Sequence, residues 1–364
     1  MTSREREVLE LIRKKPMISQ KELADILGIT RSSAAVHITN LIKKGHIMGK
    51  GYIVKDEGYI CVIGGANIDI QGFPKDNLIM RDSNPGTVKI SLGGVGRNIS
   101  ENIVKLGVNT KFISVLGGDV YGNKILDDAQ LIGLDMQHSL VLKDQLTSTY
   151  LATLDESRDM MVAIASMDIF DKMSIDFIVE KKHVIENAAL CVIDTNIPKE
   201  IIEYIVTNVK NTIFFLDTVS TSKARKVKDI IRYFHTIKPN RIEAEMLSGI
   251  KINSDNDLRK ASEYFLTKGV KRVFITMGKD GVYYNDGINE RHLQNPKIKV
   301  VNSTGAGDAF VAGLAYSYIN DFDIDYSTRF AMTASMLALS YEDTINPNMS
   351  VENINRKMEE LGLC

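Results

Sequence analysis

The chain carries two rhythms of apolar and polar positions. In the first forty-odd residues the apolar positions recur every three or four: Val8, Leu9, Leu11 and Ile12, then Leu23, Ala24, Ile26 and Leu27, then Ala35, Ile38, Leu41 and Ile42. That spacing predicts helices with one buried face. Pro16 ends the first, over 4–14. Ser19 with Glu22 three residues on opens the second as a capping box, and Gly28 gives the turn. Thr30 caps a third helix over 31–43, and Gly45, Gly49 and Gly51 punctuate a short ribbon ending Tyr52-Ile53-Val54. From Tyr59 the rhythm changes to short continuous apolar runs at 60–65, 111–116, 190–193, 213–216, 236–238 and 272–276. Helical stretches at 98–106, 199–209, 257–268 and 308–319 separate them. Buried strands alternating with helices predict an α/β fold with a mostly parallel sheet, whose ligands gather at the carboxyl ends of the strands.

Composition adds bounds. At 364 residues, 44% hydrophobic and 25% charged, the chain reads as an ordinary soluble protein of two or more folding units. It has no run of ~18 apolar residues and no signal-peptide layout, so no membrane partner is expected. Cys61, Cys191 and Cys364 are far apart in sequence and lack metal-ligand spacing, which suits a reducing compartment; the cytoplasm is the expected location. The net charge of −1 hides an asymmetry: residues 1–55 carry eleven Lys and Arg against five acidic residues, a net of +6, and the remainder carries −7. Three helices, a tight glycine turn and a terminal ribbon resemble a winged helix-turn-helix over 1–55. Its third helix would enter the DNA major groove with Arg31, Ser32, Ser33, His37 and Asn40 outward, and Lys43, Lys44 and Lys50 near phosphates. A dimerisation or effector-sensing module is the alternative.

The candidate chemistry follows the apolar runs. In Asn302-Ser303-Thr304-Gly305-Ala306-Gly307-Asp308 a glycine-rich turn enters a small apolar helix. Unpaired N–H groups and the helix dipole suit a phosphate there, and Asp308 puts a carboxylate beside that anion hole. This is the minimal equipment for moving a phosphoryl group onto a hydroxyl. Asn67 and Asp69 after the first strand suit sugar hydroxyls or a polar turn. Gly93-Gly94-Val95-Gly96-Arg97-Asn98 allows close backbone approach to a ligand. Asn240 and Glu243, one turn apart after a strand, can hold a hydrated Mg²⁺. Thr276-Met277-Gly278-Lys279-Asp280-Gly281 is a strand-to-turn joint suited to nucleotide phosphates.

Taken in order, these motifs resemble the ribokinase (PfkB-type) family of sugar and nucleoside kinases over about 59–364. Within it the chain is most similar to pseudouridine kinases, through Asp82-Ser83-Asn84-Pro85-Gly86, Gly93 to Ile99, Lys238 to Glu245 with Leu247 to Ile250, and Val301-Asn302. The basic head resembles the winged-helix extension of some bacterial members. The resemblance implies a ribokinase-like, doubly wound α/β domain over 59–364, with a small β lid from about 68–90 and 147–164 that can also form a homodimer interface. It implies ATP and Mg²⁺ as cofactors. Asp308 would be the base for a 5′-hydroxyl, with the Gly305, Ala306 and Gly307 N–H groups stabilising the transferring phosphoryl. Asn67, Asp69, Gly94 and Asn98 would line the sugar pocket, and Thr147, Ser148 and Thr149 would reach the base. Asn240 and Glu243 would organise Mg²⁺. Asn240, Thr276, Gly278, Gly281, Thr304, Gly305 and Gly307 would meet the nucleotide. Asn302 stands where the wider family usually has an Asp that helps bind a monovalent cation, which puts potassium activation in doubt. The implied activity is ATP-dependent phosphorylation of pseudouridine. The alternatives are a kinase for ribose or another nucleoside, and a sugar-sensing, DNA-binding regulator; catalysis and regulation can coexist.

Overall fold

The computed structural model describes residues 1–48, 58–155 and 159–364. These divide into two units, Met1–Gly58 and Tyr59–Cys364.

The smaller unit holds α1 (Ser3–Lys14), α2 (Gln20–Leu27) and α3 (Arg31–Lys43). Thr2 and Glu5 form a reciprocal capping box on α1. Glu5 is buried and accepts from Lys44 after α3 at 2.7 Å; that hydrogen bond pulls its carboxyl down to about 2 and ties the first helix to the end of the third. Ser19 caps α2 through the Glu22 N–H, but the Glu22 carboxylate turns to Lys15, so only half of the expected box forms. The inner face of α3 is Ala34, Ile38 and Leu41, at i, i+4 and i+7. Ala35 is half-buried and Ile42 exposed, as is Ile26 on α2, against the expectation. An Ala-Ala pair leaves periodicity one residue of freedom, and the packing settles it. Arg31, Ser32 and Ser33 are exposed at the start of α3, and His37 is half-buried. Lys50 and the predicted ribbon lie outside the described residues.

In the larger unit the chain runs through β1 (Ile60–Ile63), β2 (Asn67–Pro74), β3 (Gly86–Gly93), α4 (Val95–Lys105), β4 (Thr110–Ile113), β5 (Val115–Gly117), α5 (Val120–Ile132), β6 (Leu140–Leu142), β7 (Thr149–Leu154) and β8 (Met160–Ser166). It continues with α6 (Ile175–Glu186), β9 (Leu190–Asp194), α7 (Lys199–Asn208), β10 (Phe214–Asp217), α8 (Thr221–Ala224), β11 (Thr236–Lys238), α9 (Arg241–Ser248) and α10 (Asp255–Lys268). The last elements are β12 (Arg272–Thr276), β13 (Val282–Asn285), β14 (Glu290–Leu293), α11 (Ala306–Ile319), α12 (Ile324–Leu339) and α13 (Val351–Leu361).

The main sheet has the order β14-β13-β12-β11-β10-β9-β1-β4, parallel from β12 to β4, with β13 and β14 added antiparallel. Successive residues of β1 serve opposite cores. Cys61 and Ile63 pack with α6, α7 and α10, whereas Ile60 and Val62 pack with α4, α5, α11 and α12. A strand buried on both faces must be apolar at every position, which is why these strands read as unbroken runs. Each fully buried Ile or Val contributes roughly 1.5–3 kcal/mol. Free Cys61 and Cys191 become buried neighbours across β1 and β9. Since β1 lies between β4 and β9, the chain order reverses there, and a crevice opens at the carboxyl ends of β1 and β9.

A second sheet, β3-β2-β7-β8, forms the lid. Its pairing sorts the side chains onto two faces. Asp69 pairs with Ser91 and Tyr150, and Gln71 with Lys89 and Ala152. On the other face Ile70 pairs with Ile90 and Leu151, and Leu151 with Ile164. Val88 and Val162 extend that apolar face, where Val88, Ile90, Leu151, Val162 and Ile164 are all exposed.

Candidate active site

The anion-binding end is built by α11. Gly305 is its N-cap, with φ 83°, and no side chain caps the helix. A Cβ at Gly305 would lie 2.3 Å from the Thr344 carbonyl oxygen, so both conformation and space demand glycine. The first N–H groups of α11 are therefore left unpaired at the positive end of the dipole. Every residue from Ala309 to Ala315 is buried, which fixes the direction of this helix by packing. Thr304 is exposed, and its N–H donates to Asn302 Oδ1 at 2.9 Å. Asn302 Nδ2 donates to the Glu342 carbonyl at 2.9 Å. Both ends of the neutral Asn302 amide are thus engaged by backbone groups.

Asp308 lies in the first turn of α11, and its Oδ2 accepts from Asn98 Nδ2 at 2.8 Å. Asn98 is buried on α4, and its Oδ1 has no partner, leaving an acceptor beside the carboxylate. The start of α4 is pressed onto β1. Gly94 has φ 99°, and a Cβ there would fall 2.4 Å from the Gly65 carbonyl oxygen; one at Gly96 would meet the Phe112 ring at 2.8 Å. Asp69 accepts from Asn67 Nδ2 at 2.6 Å. Burial raises its pKa, opposed by Asn67 and by the Arg97 charge.

Asp194 and Asp217, which no motif contains, and Lys238, which opens the run to Glu245, close buried strands at this crevice. Asp194 ends β9, and its two oxygens accept the N–H groups of Gly65 at 2.8 Å and Asn196 at 2.7 Å; burial pushes its pKa up. Asp217 ends β10 and pairs with Lys238, which ends β11, at 3.1 Å. Burial alone would push the Lys238 ammonium down, but the charges of Asp217, Glu243 and Asp308 outweigh it and hold its pKa up. A Cβ at Gly307 would sit 3.2 Å from Lys238 Nζ, so this ammonium touches the start of α11. Asp308 keeps some surface at the crevice but is enclosed by protein elsewhere. Burial first, and then the Asp217 charge, push it up to about 7, against the Asn98 hydrogen bond and Lys238. The signal for all three was one polar residue ending an apolar run.

Asn240 and Glu243 form a reciprocal capping box on α9: Asn240 Oδ1 accepts the Glu243 N–H at 2.9 Å, and Glu243 Oε2 accepts the Asn240 N–H at 2.8 Å. The Thr218 hydroxyl donates a second bond to Oε2 at 2.6 Å. Among the described residues no group of three or more His, Cys, Asp or Glu could hold a metal ion. One carboxylate with one uncommitted oxygen fits a Mg²⁺ that keeps most of its waters. Thr276 ends β12 beside this box, its N–H donating to Pro239 at 3.0 Å. Gly278, with φ 57°, has open space where a Cβ would be. Gly281 faces the other way: a Cβ there would fall 1.9 Å from the Leu293 carbonyl oxygen, so it serves the turn into β13, packed against the end of β14.

The three residues expected near a base are placed differently. Thr147 is buried, donating to Asp119 Oδ1 at 2.6 Å and accepting the Gly117 N–H at 3.0 Å. Ser148 is buried with its Oγ unpartnered. Thr149 pairs with Ile68 and so projects on the apolar face of the lid, opposite Asp69. The face that does carry Asp69 lines a cavity of 1110 Å³, bounded by Gln71, Lys89, Ser91, Arg97 and, on the other wall, Thr304 and the loop at 342–345. Among the described residues, no helix is long and apolar enough to cross a membrane.

The family model described as pfkB family carbohydrate kinase matches residues 57–351, and that described as winged helix-turn-helix DNA-binding matches residues 1–48. Pseudouridine kinase of Escherichia coli (strain K12) is 39% identical over 302 residues, covering 83% of this chain and 96% of that protein. The uncharacterized sugar kinase YeiI of the same strain is 35% identical over 354 residues, covering 97% of this chain and 98% of that protein. The solved structure of Arabidopsis thaliana ribokinase, complexed with ribose and ATP, matches with a TM-score of 0.74 at 21% identity over 83% of this chain and 99% of that one, a likeness of fold.

Proposed function

From the premise that the chain belongs to the pfkB family of carbohydrate kinases, with a winged helix-turn-helix at its N-terminus, we propose that it transfers a phosphoryl group from ATP to the 5′-hydroxyl of pseudouridine. The observation that carries the reading is the Asn98–Asp308 hydrogen bond at the uncapped start of α11. It joins a sugar-facing side chain to a carboxylate that sits beside free N–H groups. ATP with Mg²⁺ supplies the phosphoryl group and screens its charge. Asp69 holds ribose hydroxyls, with Asn67, Gly94 and Asn98 around the ring. The free Oδ1 of Asn98 accepts from a substrate hydroxyl. Asp308 takes the 5′-hydroxyl proton as the oxygen attacks, and the N–H groups of Gly305, Ala306 and Gly307, with Lys238 beside them, stabilise the charge in flight. Asn240 and Glu243 orient the hydrated metal. Thr276, Gly278 and Thr304 meet the nucleotide, with Gly281 shaping the turn.

Residues 59–364 serve as the kinase in this reading and residues 1–55 as a DNA-binding domain. The net charge of +6 and the exposed Arg31, Ser32 and Ser33 support the latter. An exposed apolar face on the lid supports a homodimer. The cytoplasm, where ATP is abundant, is the setting it requires. The test is ATP-dependent phosphorylation of pseudouridine beside uridine and ribose. Turnover of pseudouridine that falls about 10²–10⁴-fold in Asp308→Asn is expected. Turnover of ribose or another nucleoside instead keeps the mechanism and discards the substrate. Absence of any turnover, together with ligand-sensitive DNA binding, would put a regulator in its place.

A further inference from the structure

The cavity continues past the sugar end marked by Asp69. Strand alternation places Gln71 next on the same face of β2, about 7 Å further along. Pairing sets Lys89 of β3 directly opposite Gln71. Both line the 1110 Å³ cavity, whose size suits a sugar carrying a further ring. The Lys89 ammonium reaches Asp343 on the opposite wall, so its stem and charge span the space that a substituent on the sugar must enter. Both partners of that ion pair are roughly half exposed, at 45% and 46%, and such pairs hold weakly, so Lys89 is easily drawn to another acceptor. Of the three residues expected for this task, Thr147 is engaged by Asp119 and Thr149 lies on the apolar face; the Ser148 hydroxyl is unpartnered but buried just before β7, on the sugar side of Gln71.

We infer that Lys89, with Gln71 beside it, determines specificity for the base. The ammonium, which only donates, bonds a carbonyl oxygen of a uracil-type base. The Gln71 amide, which donates and accepts, pairs with the adjoining imide N–H. The inference rests on the nucleoside-kinase reading above.

Contacts this far from the reacting oxygen are made equally in the ground and transition states, so their loss raises KM and leaves kcat alone. Steady-state kinetics of the full chain with pseudouridine test this. Lys89→Met is expected to raise KM about 10–100-fold with kcat within about threefold. Gln71→Leu should raise KM less, and Asp343→Asn, which removes a competing partner of Lys89, should lower it by no more than about fivefold. An unchanged KM in Lys89→Met would overturn the inference. So would an equal rise in Asp343→Asn, which would make the pair an ionic latch on the lid. If the parent protein phosphorylates only ribose, the substrate reading falls and this inference with it. If it phosphorylates pseudouridine and the Lys89 variant matches it, only this inference falls.

Discussion

Asp308→Asn should cut catalysis about 10²–10⁴-fold and stabilise the protein, with the second effect growing as pH rises from about 4 to about 7. The folded protein holds the Asp308 proton up to about pH 7, because burial and the Asp217 charge disfavour the carboxylate, whereas an unfolded chain releases it near 3.8. Between those limits the folded state binds more protons, so stability falls as pH rises and the full deficit is present above about pH 7. A displacement of about three pH units at 1.36 kcal/mol each sets the deficit at roughly 4 kcal/mol, an upper figure. Asparagine has nearly the same shape, can still accept from Asn98, and cannot ionise. The variant should therefore gain about 2–4 kcal/mol at pH 8, and the gain should shrink toward zero near pH 4. Urea unfolding followed by far-UV circular dichroism suits a chain without tryptophan. Equal stability at pH 8, or a gain that does not change between pH 5 and 8, would refute the argument. The same proton predicts that kcat/KM of the parent rises with pH to a plateau above an apparent pKa of about 7.

Asp217→Asn removes one of the charges that raise Asp308 and frees Lys238 to lower it further; the acid limb of the kcat/KM profile should move down by on the order of one pH unit. Gly94→Ala puts a Cβ 2.4 Å from the Gly65 carbonyl oxygen at φ 99°, so urea unfolding should show a loss of about 2–4 kcal/mol or more, and KM for the sugar should rise. Ile164→Lys on the exposed face of the lid should shift sedimentation from dimer to monomer, with far-UV circular dichroism unchanged.

The parts of this molecule that were legible in its sequence are those where one physical constraint leaves one pattern. Strands buried on both faces are apolar along most of their length, so β1, β9, β10 and β12 are readable from Ile60 onward, whereas β11, Thr-Ile-Lys, carries a single apolar residue. A glycine run entering an apolar helix was readable as α11. The lid was readable as strands but not as faces. Alternation gives two sets of side chains, and only the pairing shows that Thr149, expected as a contact to the base, lies on the face opposite Gln71 and Lys89, which line the cavity. Asp194 and Asp217 are hidden for another reason. Each is a single polar residue with no local motif, and only the alignment of adjacent strands gathers them with Lys238 at one edge.

The hydrogen bond between Asn98 and Asp308 spans 210 residues of sequence. At translation speeds of roughly 5–20 residues per second, Asp308 is made some 10–40 s after Asn98. Contacts of such separation also form late in folding, since a long loop must close before the bond is gained. The helices at the N-terminus, whose contacts are local, are complete well before the carboxylate exists. A nascent chain therefore passes through a period in which it holds its basic head and Asn98 but not yet Asp308, and the proposed site is incomplete until more than four fifths of the chain has been made.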